Sequence, residues 1–193
     1  MSKPSRVYAL VEDQRHKQLL YRFLVVCGFK AHEIEIELSP AGSGSAVQWV
    51  RENLVRQVGK CRQRNASSKT GMFVMLDADT RRVDDRLATL NTALEEAGQP
   101  PIDGARDPIA RLIPKRNVET WILLLSAAPA ESAPVDEIQD YKNTKTAEEW
   151  SAAVPAAART LDAWTKRADP PCGLIDSLRR GIREIPRAID RVG

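Results

Sequence analysis

The chain has 193 residues, of which 42% are hydrophobic and 28% are charged, and its formal net charge is only +3. This composition is typical of one soluble globular domain with a real core, and so small a net charge excludes a strong polyelectrolyte. Three widely spaced cysteines without a CxxC pair, no apolar run of membrane-span length and no secretory signal together predict a cytoplasmic protein without disulfides, zinc knuckles or membrane spans.

The first predicted elements are a strand, a helix and a second strand. Residues 6–11, R-V-Y-A-L-V, form a short apolar run that ends at Glu12. Apolar residues at helical spacing follow as far as Gly28, which predicts a helix that stops there. Residues 33–38, E-I-E-I-E-L, alternate strictly, which is typical of a half-exposed strand at the edge of a sheet.

The next segment combines a helix with a basic run. A helix is predicted from Ala46 to about Lys60. The region from Arg51 to Lys69 contains only one acidic residue, Glu52, and six basic residues. The basic residues are Arg51, Arg56, Lys60, Arg62, Arg64 and Lys69. They are candidates for tracking a nucleic-acid backbone, and a solvated helix end is the competing interpretation.

The most informative stretch is Gly71 to Thr80, G-M-F-V-M-L-D-A-D-T. Its five consecutive apolar residues predict a strand buried on both faces, as in parallel sheets, and such sheets place their chemistry at the carboxyl ends of strands. Side chains alternate along extended chain, so Asp77 and Asp79 are expected to point the same way and to need a cation between them. On this segment alone, a metal site and a polar turn are equally compatible with the pattern.

The remaining chain predicts one more strand and several helices. The predicted elements are a helix at 81–97, a strand at 109–113, a helix at 118–126 with Glu119 in its first turn, a loop or lid at 127–140, and helices at 146–167 and 174–185. Pro155 is expected to break or kink the first of the two closing helices. The alternation predicts an α/β fold with a mainly parallel four-stranded sheet and helices on both faces in residues 1–128, and a helical extension in residues 129–193 packed on the same domain.

Acids at two strand ends favour a metal site. Glu12 closes the first strand and Asp77 the third, and the carboxyl ends of parallel strands lie along one edge. Their carboxylates could therefore converge on a hard cation, for which Mg2+ or Mn2+ is expected.

Three segments resemble the TOPRIM domain of topoisomerases, bacterial-type primases and nucleases of the OLD (overcoming lysogenization defect) group. V-Y-A-L-V-E-D and F-V-M-L-D-A-D are similar to its two motifs, and I-P-K-R-N-V-E-T-W-I-L-L, residues 113–124, to an element of stand-alone TOPRIM proteins from bacterial defence and mobile-element loci. The resemblance covers residues 7–125. It implies that Glu12 is a metal ligand or general base, that Asp77 and Asp79 hold magnesium, and that Glu119 helps to bind a second ion. The first motif usually has glycine where this chain has Asp13, whose side chain either crowds the phosphate path or points away.

Together with this resemblance, which implies an anti-phage or mobile-element system, the strand-end acids predict a Mg-dependent nuclease that acts on DNA or RNA, with DNA favoured, and that contacts the phosphate through Lys115 and Arg116. Water is the expected nucleophile, because no tyrosine is well placed for the reaction. The alternatives are a non-catalytic partner or regulatory subunit of a separate ATPase, since the chain has no P-loop, and a receiver-like α/β domain, whose acid pair would follow the first strand rather than the third. A homo-oligomer is compatible with the sequence. His16 could reach the edge of the sheet where the acids lie, but a solvated surface position is the favoured interpretation.

Overall fold

The structure, a computed structural model, describes residues 4–40, 45–65, 69–127, 135–167 and 174–189. These residues form four strands and six helices in the predicted order. The elements are β1 (Arg6–Val11), α1 (Gln14–Val26), β2 (Ile34–Leu38), α2 (Ala46–Asn65), β3 (Thr70–Met75), α3 (Val83–Glu96), β4 (Ile109–Leu112), α4 (Val118–Ser126), α5 (Ala147–Thr165) and α6 (Asp176–Ile189). The predicted α/β class is confirmed, and every strand pair is parallel.

The sheet has the strand order β2-β1-β3-β4. The alternating strand β2 lies at one edge, as its glutamates predict. From β1 the chain moves outward to β2 and then crosses back to β3, so the direction of the connections reverses between β1 and β3. In open parallel sheets, this reversal opens a crevice at the carboxyl ends of the two strands, where ligands usually bind.

Each face of the sheet carries its own hydrophobic cluster. Phe73 and Met75 of β3 pack with α1, α4, α5 and α6, whereas Met72 and Val74 pack with α2 and α3 on the other face. This division follows from the period-two alternation of side chains in a strand that is buried throughout. A strand buried on both faces positions its carboxyl end rigidly, and Asp77 lies two residues beyond its last residue, Met75.

Of the two closing helices, α6 packs directly on β3 and β4, whereas α5 packs on α1, α4 and α6. Helix α5 continues through Pro155, so the predicted break is wrong, and the alternative of a kink stays a prediction. Tertiary packing explains this, because α5 buries one side against α1 and α4, and this burial outweighs one missing backbone hydrogen bond. On α6, the carboxylate of Glu184 accepts hydrogen bonds from the backbone nitrogen and the guanidinium of Arg111, at 2.7 to 3.1 Å, and so covers the outer edge of β4. None of the described helices is both long and apolar enough to cross a bilayer.

Candidate metal centre at the carboxyl edge of the sheet

Glu12 and Asp77 meet where β1 and β3 end. The two strands pair with Val11 opposite Met75, and the backbone nitrogen of Glu12 donates to the Met75 carbonyl at 3.1 Å. Two residues after Met75, the backbone nitrogen of Asp77 donates to Oε2 of Glu12 at 2.8 Å. The ladder between β1 and β3 thus joins two carboxylates that are 65 residues apart in the chain, at the point where the connections reverse.

Asp77 is a fully buried carboxylate, with a relative exposure of 0%. Its Oδ1 lies 3.0 Å from Nε2 of His16, and its Oδ2 lies 3.4 Å from Nζ of Lys142. Oδ2 accepts no hydrogen bond from any described residue, because the lysine contact is an ion pair rather than a hydrogen bond. Burial, together with the charge of Asp77, raises the pKa of Glu12. The negative charge at this point is therefore costly unless a cation joins it.

His16 is the buried partner of these acids, and its predicted place on the surface is wrong. It lies in the first turn of α1 with 0% exposure, and its Nδ1 is 2.8 Å from Oδ1 of Asp13. Burial alone would lower the pKa of His16, but the carboxylates of Asp77 and Asp13 raise it well above its ordinary value. An imidazolium between two aspartates neutralises part of the negative charge of the cluster.

Asp13 holds the start of α1. Its Oδ1 accepts hydrogen bonds from the backbone nitrogens of Arg15 and His16, at 2.8 and 3.0 Å, which makes it the N-cap of the helix. Burial works against its ionised form, yet the hydrogen bonds and the charge of His16 lower the pKa of Asp13. The side chain at the usual glycine position is therefore tied to the helix end and to His16.

Asp79 is not part of the extended strand, so strand alternation does not determine where its side chain points. Strand β3 ends at Met75, and Asp79 has a left-handed backbone with φ of 56°. Its Oδ2 accepts from the guanidinium of Arg86 at 3.1 Å, and its side chain is partly exposed. Its charge still contributes to the raised pKa of Glu12, so Asp79 lies beside the cluster and is already paired.

Glu119 adds a second buried carboxylate. It sits in the first turn of α4, where Asn117 caps the helix, and it is 4% exposed. Its Oε1 accepts from Nε of Arg15 at 3.2 Å, whereas its Oε2 accepts from no described residue. Burial raises the pKa of Glu119, and the charge of Asp77 raises it further, which indicates that the two carboxylates feel each other's charge.

Lys142 completes the cluster, and sequence reasoning missed it. It lies between α4 and α5, and its backbone nitrogen donates to Asp140, whose side chain also accepts from Asn117 at the start of α4. Burial alone would lower the pKa of Lys142, but Asp77, Glu12, Glu119 and Asp79 together raise it. No motif or periodicity surrounds this lysine, so only the folded chain reveals that it faces the acids.

The other basic candidates occupy two different places. Lys115 donates to the Arg81 carbonyl at 2.6 Å, and Arg116 pairs with Asp140 at 3.4 Å, so both lie near the carboxyl edge without contacting the acids. The second half of the basic run leads to the opposite edge, because α2 ends at Asn65 and β3 begins at Thr70.

Most residues of the basic run have partners of their own. Arg62 binds Asp107 and the carbonyls of Pro100 and Pro101. The remaining contacts are Arg51 with Glu96, Arg56 with Glu37, Arg64 with the Tyr8 hydroxyl, and the Lys69 carbonyl with Ser5; Lys60 is exposed. A nucleic-acid role for this run stays a prediction, but the run does not lead into the acidic cluster.

Three side chains are close enough to share one ion. The nearest ligand atoms of Glu12, His16 and Asp77 all lie within 4.8 Å of one another. Comparisons with protein-family models, curated proteins and solved structures found no match to this chain. Function must therefore be argued from the chemistry of this cluster.

Proposed function

We propose that the protein is a divalent-metal-dependent phosphodiester hydrolase that acts on nucleic acid, with DNA as the preferred substrate. The observation that carries this proposal is the fully buried carboxylate of Asp77, which lies beside the half-buried Glu12. Oδ2 of Asp77 accepts no hydrogen bond from the described residues. Two carboxylates at the switch point of a parallel sheet are suited to a ligand site, and His16 and Lys142 supply positive charge there until an ion binds.

The donor set fits a divalent ion. Asp77 and Glu12 would hold the first ion. Glu119, whose Oε2 accepts from no described residue, and Asp79, after release from Arg86, would be ligands for a second one. Oxygen ligands of this kind suit Mg2+ and Mn2+. An ion would satisfy Oε2 of Glu119, which accepts no hydrogen bond from the described residues, and Oδ2 of Asp77, whose contact is the ion pair with Lys142.

The resemblance to TOPRIM motifs supports the choice of substrate. The two resembling segments are β1 with Glu12 and β3 with Asp77, which are neighbouring parallel strands. The third segment contains Lys115, Arg116 and Glu119, beside the same edge of the sheet. In a TOPRIM-type enzyme these acids would serve cleavage of a phosphodiester.

The chain's own side chains then have distinct tasks. A bound divalent ion supplies charge neutralisation at the attacking and leaving oxygens of the phosphodiester. Glu12 would orient the attacking water through the ion that it helps to hold. Asp77, Glu12, Glu119 and Asp79 raise the pKa of Lys142, so its ammonium stays charged beside the site. This positive charge would stabilise negative charge that develops on the phosphate. Lys115 and Arg116 would bind the flanking phosphates.

The direct test is nicking of supercoiled plasmid DNA with Mg2+ or Mn2+ by wild-type protein and by Asp77→Asn. The variant keeps the size of the side chain but loses its charge, so we expect a loss of cleavage of at least about 100-fold. Circular dichroism establishes that the variant is folded. Asp85→Asn, on the exposed side of α3, removes the same charge away from the cluster and should cut like wild type.

Equal cutting by wild type and Asp77→Asn would refute the assignment of the site. If wild type cuts neither DNA nor RNA with either ion, the proposal that the isolated chain is a nuclease would be refuted.

A second function is favoured by Asp13, which occupies the usual glycine position and is committed to the helix cap and to His16. On this alternative the protein is a non-catalytic partner or regulatory subunit of a separate ATPase, and the acids bind an ion for structure only. Copurification of a stoichiometric ATPase, together with metal binding but no cleavage by the isolated chain, would favour this alternative over the hydrolase.

A further inference from the structure

We propose that His16 supplies a nitrogen ligand at this centre, so that the site selects a first-row transition ion such as Mn2+ over Mg2+. This inference rests on the metal site proposed above and specifies its chemistry. The imidazole ring of His16 is fully buried and lies beside the two carboxylates that would hold the ion, those of Glu12 and Asp77.

The spacing of the donor atoms matches one coordination sphere. In an octahedral site with bonds of about 2.1 Å, two neighbouring ligand atoms lie roughly 3 Å apart. Nε2 of His16 and Oδ1 of Asp77 are 3.0 Å apart, and all three ligand atoms, including that of Glu12, lie within 4.8 Å of one another. An ion can therefore enter between the ring and the carboxylates without large rearrangement of the chain, and it releases the Nε2 proton of His16 to solvent as it binds.

The far side of the ring is also prepared for ligation. A histidine that binds a metal through one nitrogen usually donates its other N–H to a carboxylate, which fixes the tautomer and the orientation of the ring. Asp13 lies 2.8 Å from Nδ1 and is itself held by two backbone nitrogens at the start of α1. The cap of the helix thus doubles as the outer support of the ligand, which gives Asp13 a role that a glycine could not perform.

The donor types decide the ion. Carboxylates alone favour magnesium, calcium or manganese, whereas an imidazole nitrogen favours transition ions, and affinity for such sites rises along the first row from Mn2+. Magnesium demands near-ideal octahedral oxygen coordination and gives up its water reluctantly. One nitrogen and two carboxylates therefore point to a transition ion.

The deciding measurement is pulsed electron paramagnetic resonance of wild-type protein loaded with one equivalent of Mn2+. A directly bound imidazole produces a 14N coupling in the echo modulation. The chain has only two histidines, and the other, His32, is exposed on a short turn before β2. We expect the coupling in wild type and in His32→Gln, and its loss in His16→Gln.

Binding affinities give a second readout. Titration calorimetry should show that wild type binds Mn2+ at least about 100-fold more tightly than Mg2+. His16→Gln should lower the Mn2+ affinity about 10- to 100-fold and leave the Mg2+ affinity nearly unchanged. Asp13→Asn, which removes the outer support, should lower the Mn2+ affinity about tenfold while the 14N coupling persists.

The outcomes separate this inference from the proposed function. If Mn2+ binds to wild type without a 14N coupling, the site is all oxygen, His16 is only an outer cation, and the inference is overturned while the hydrolase proposal stands. If neither ion binds in a manner that depends on Asp77, both proposals fail. Because the spectrum of wild type decides the matter, instability of His16→Gln would not leave the inference open.

Discussion

At the scale of single residues, Lys142 and an incoming ion compete for the same carboxylate oxygen. Nζ lies 3.4 Å from Oδ2 of Asp77, and four acids raise the pKa of Lys142. Because the lysine side chain is partly exposed, solvent screens the pair, and its contribution is only about 1 kcal/mol. The lysine therefore holds the site in the absence of an ion and yields to one.

We predict that Lys142→Gln binds Mn2+ about fivefold more tightly than wild type, because a competing cation has been removed. The same variant should cleave DNA about 100-fold more slowly, because a preorganised positive group has been lost from the reacting centre. Calorimetry and nicking assays measure the two effects. Lys145→Gln is the matched control, since the ammonium of Lys145 lies over the Trp150 ring and should affect neither property. Weaker Mn2+ binding by Lys142→Gln would show that the lysine supports the site rather than competes for it.

At the scale of elements, the seating of α6 on β3 depends on the absence of one side chain. A Cβ added at Gly71 would lie 1.9 Å from the carbonyl oxygen of Ala188, a contact between two backbones. Gly59, within α2, offers a matched position, because a Cβ there would first meet the flexible Gln99 side chain at 3.4 Å.

We predict that Gly71→Ala lowers the free energy of unfolding by about 3 kcal/mol, since either the strand or the helix must move. Gly59→Ala should instead raise it by up to about 1 kcal/mol, because alanine favours the helix. Urea unfolding followed by circular dichroism measures both changes. Equal stability of the two variants would contradict the close packing of α6 on β3.

The sequence predicted the elements better than it predicted the cluster. Hydrophobic periodicity was sufficient for the strands and the sheet, and strand ends were sufficient to expect Glu12 near Asp77, because register follows directly from a parallel sheet. The expectation that Asp79 points the same way as Asp77 rested on strand alternation, and it does not apply because β3 ends before Asp79. His16 was misassigned because burial depends on partners from other elements, and Lys142 carried no local signal at all.

At the scale of the whole molecule, acid stability depends in part on a link between α2 and the segment before β4. The guanidinium of Arg62 binds both oxygens of Asp107, at 2.7 and 3.0 Å. Burial by itself would raise the pKa of Asp107, but Arg62 lowers it below its ordinary value. A lowered pKa in the folded state means that this pair stabilises the fold above the unfolded pKa of about 3.9 and is lost as pH falls through the folded value.

We predict that Asp107→Asn is less stable than wild type by about 2 kcal/mol at pH 7, and that the difference disappears progressively below about pH 4. Urea unfolding between pH 7 and pH 3 measures it, with Asp85→Asn as the exposed control. A difference that stays constant down to pH 3 would mean that the ion pair does not set the pH dependence.

Under the proposed function, exposed arginines beside the carboxyl edge are the candidates for contacting a nucleic acid. The run from Arg51 to Lys69 leads to the amino edge of the sheet, away from the acids. Beside the carboxyl edge, a cleft of about 360 Å³ lies between the start of α3 and α6. Its lining consists of Val83, Asp84, Glu137, Asp176, Ser177, Arg179, Arg180 and Arg183. Arg82, which precedes α3, is also exposed at this edge.

On the proposed function, we predict that removing both Arg82 and Arg183 weakens DNA binding, whereas removing Lys60 and Lys69 at the other edge does not. Each variant pair, with glutamine at both positions, removes two charges, so the net charge of the protein is matched. If both arginines contact phosphate, the slope of log affinity against log salt should fall by about 1.8 for a duplex. The slope is measured by fluorescence anisotropy of a labelled duplex across a salt series. Divalent ions are left out so that the duplex is not cleaved. A change confined to the lysine pair would assign the path to the amino edge, and a substrate bound there could not reach the acids without bending around the sheet.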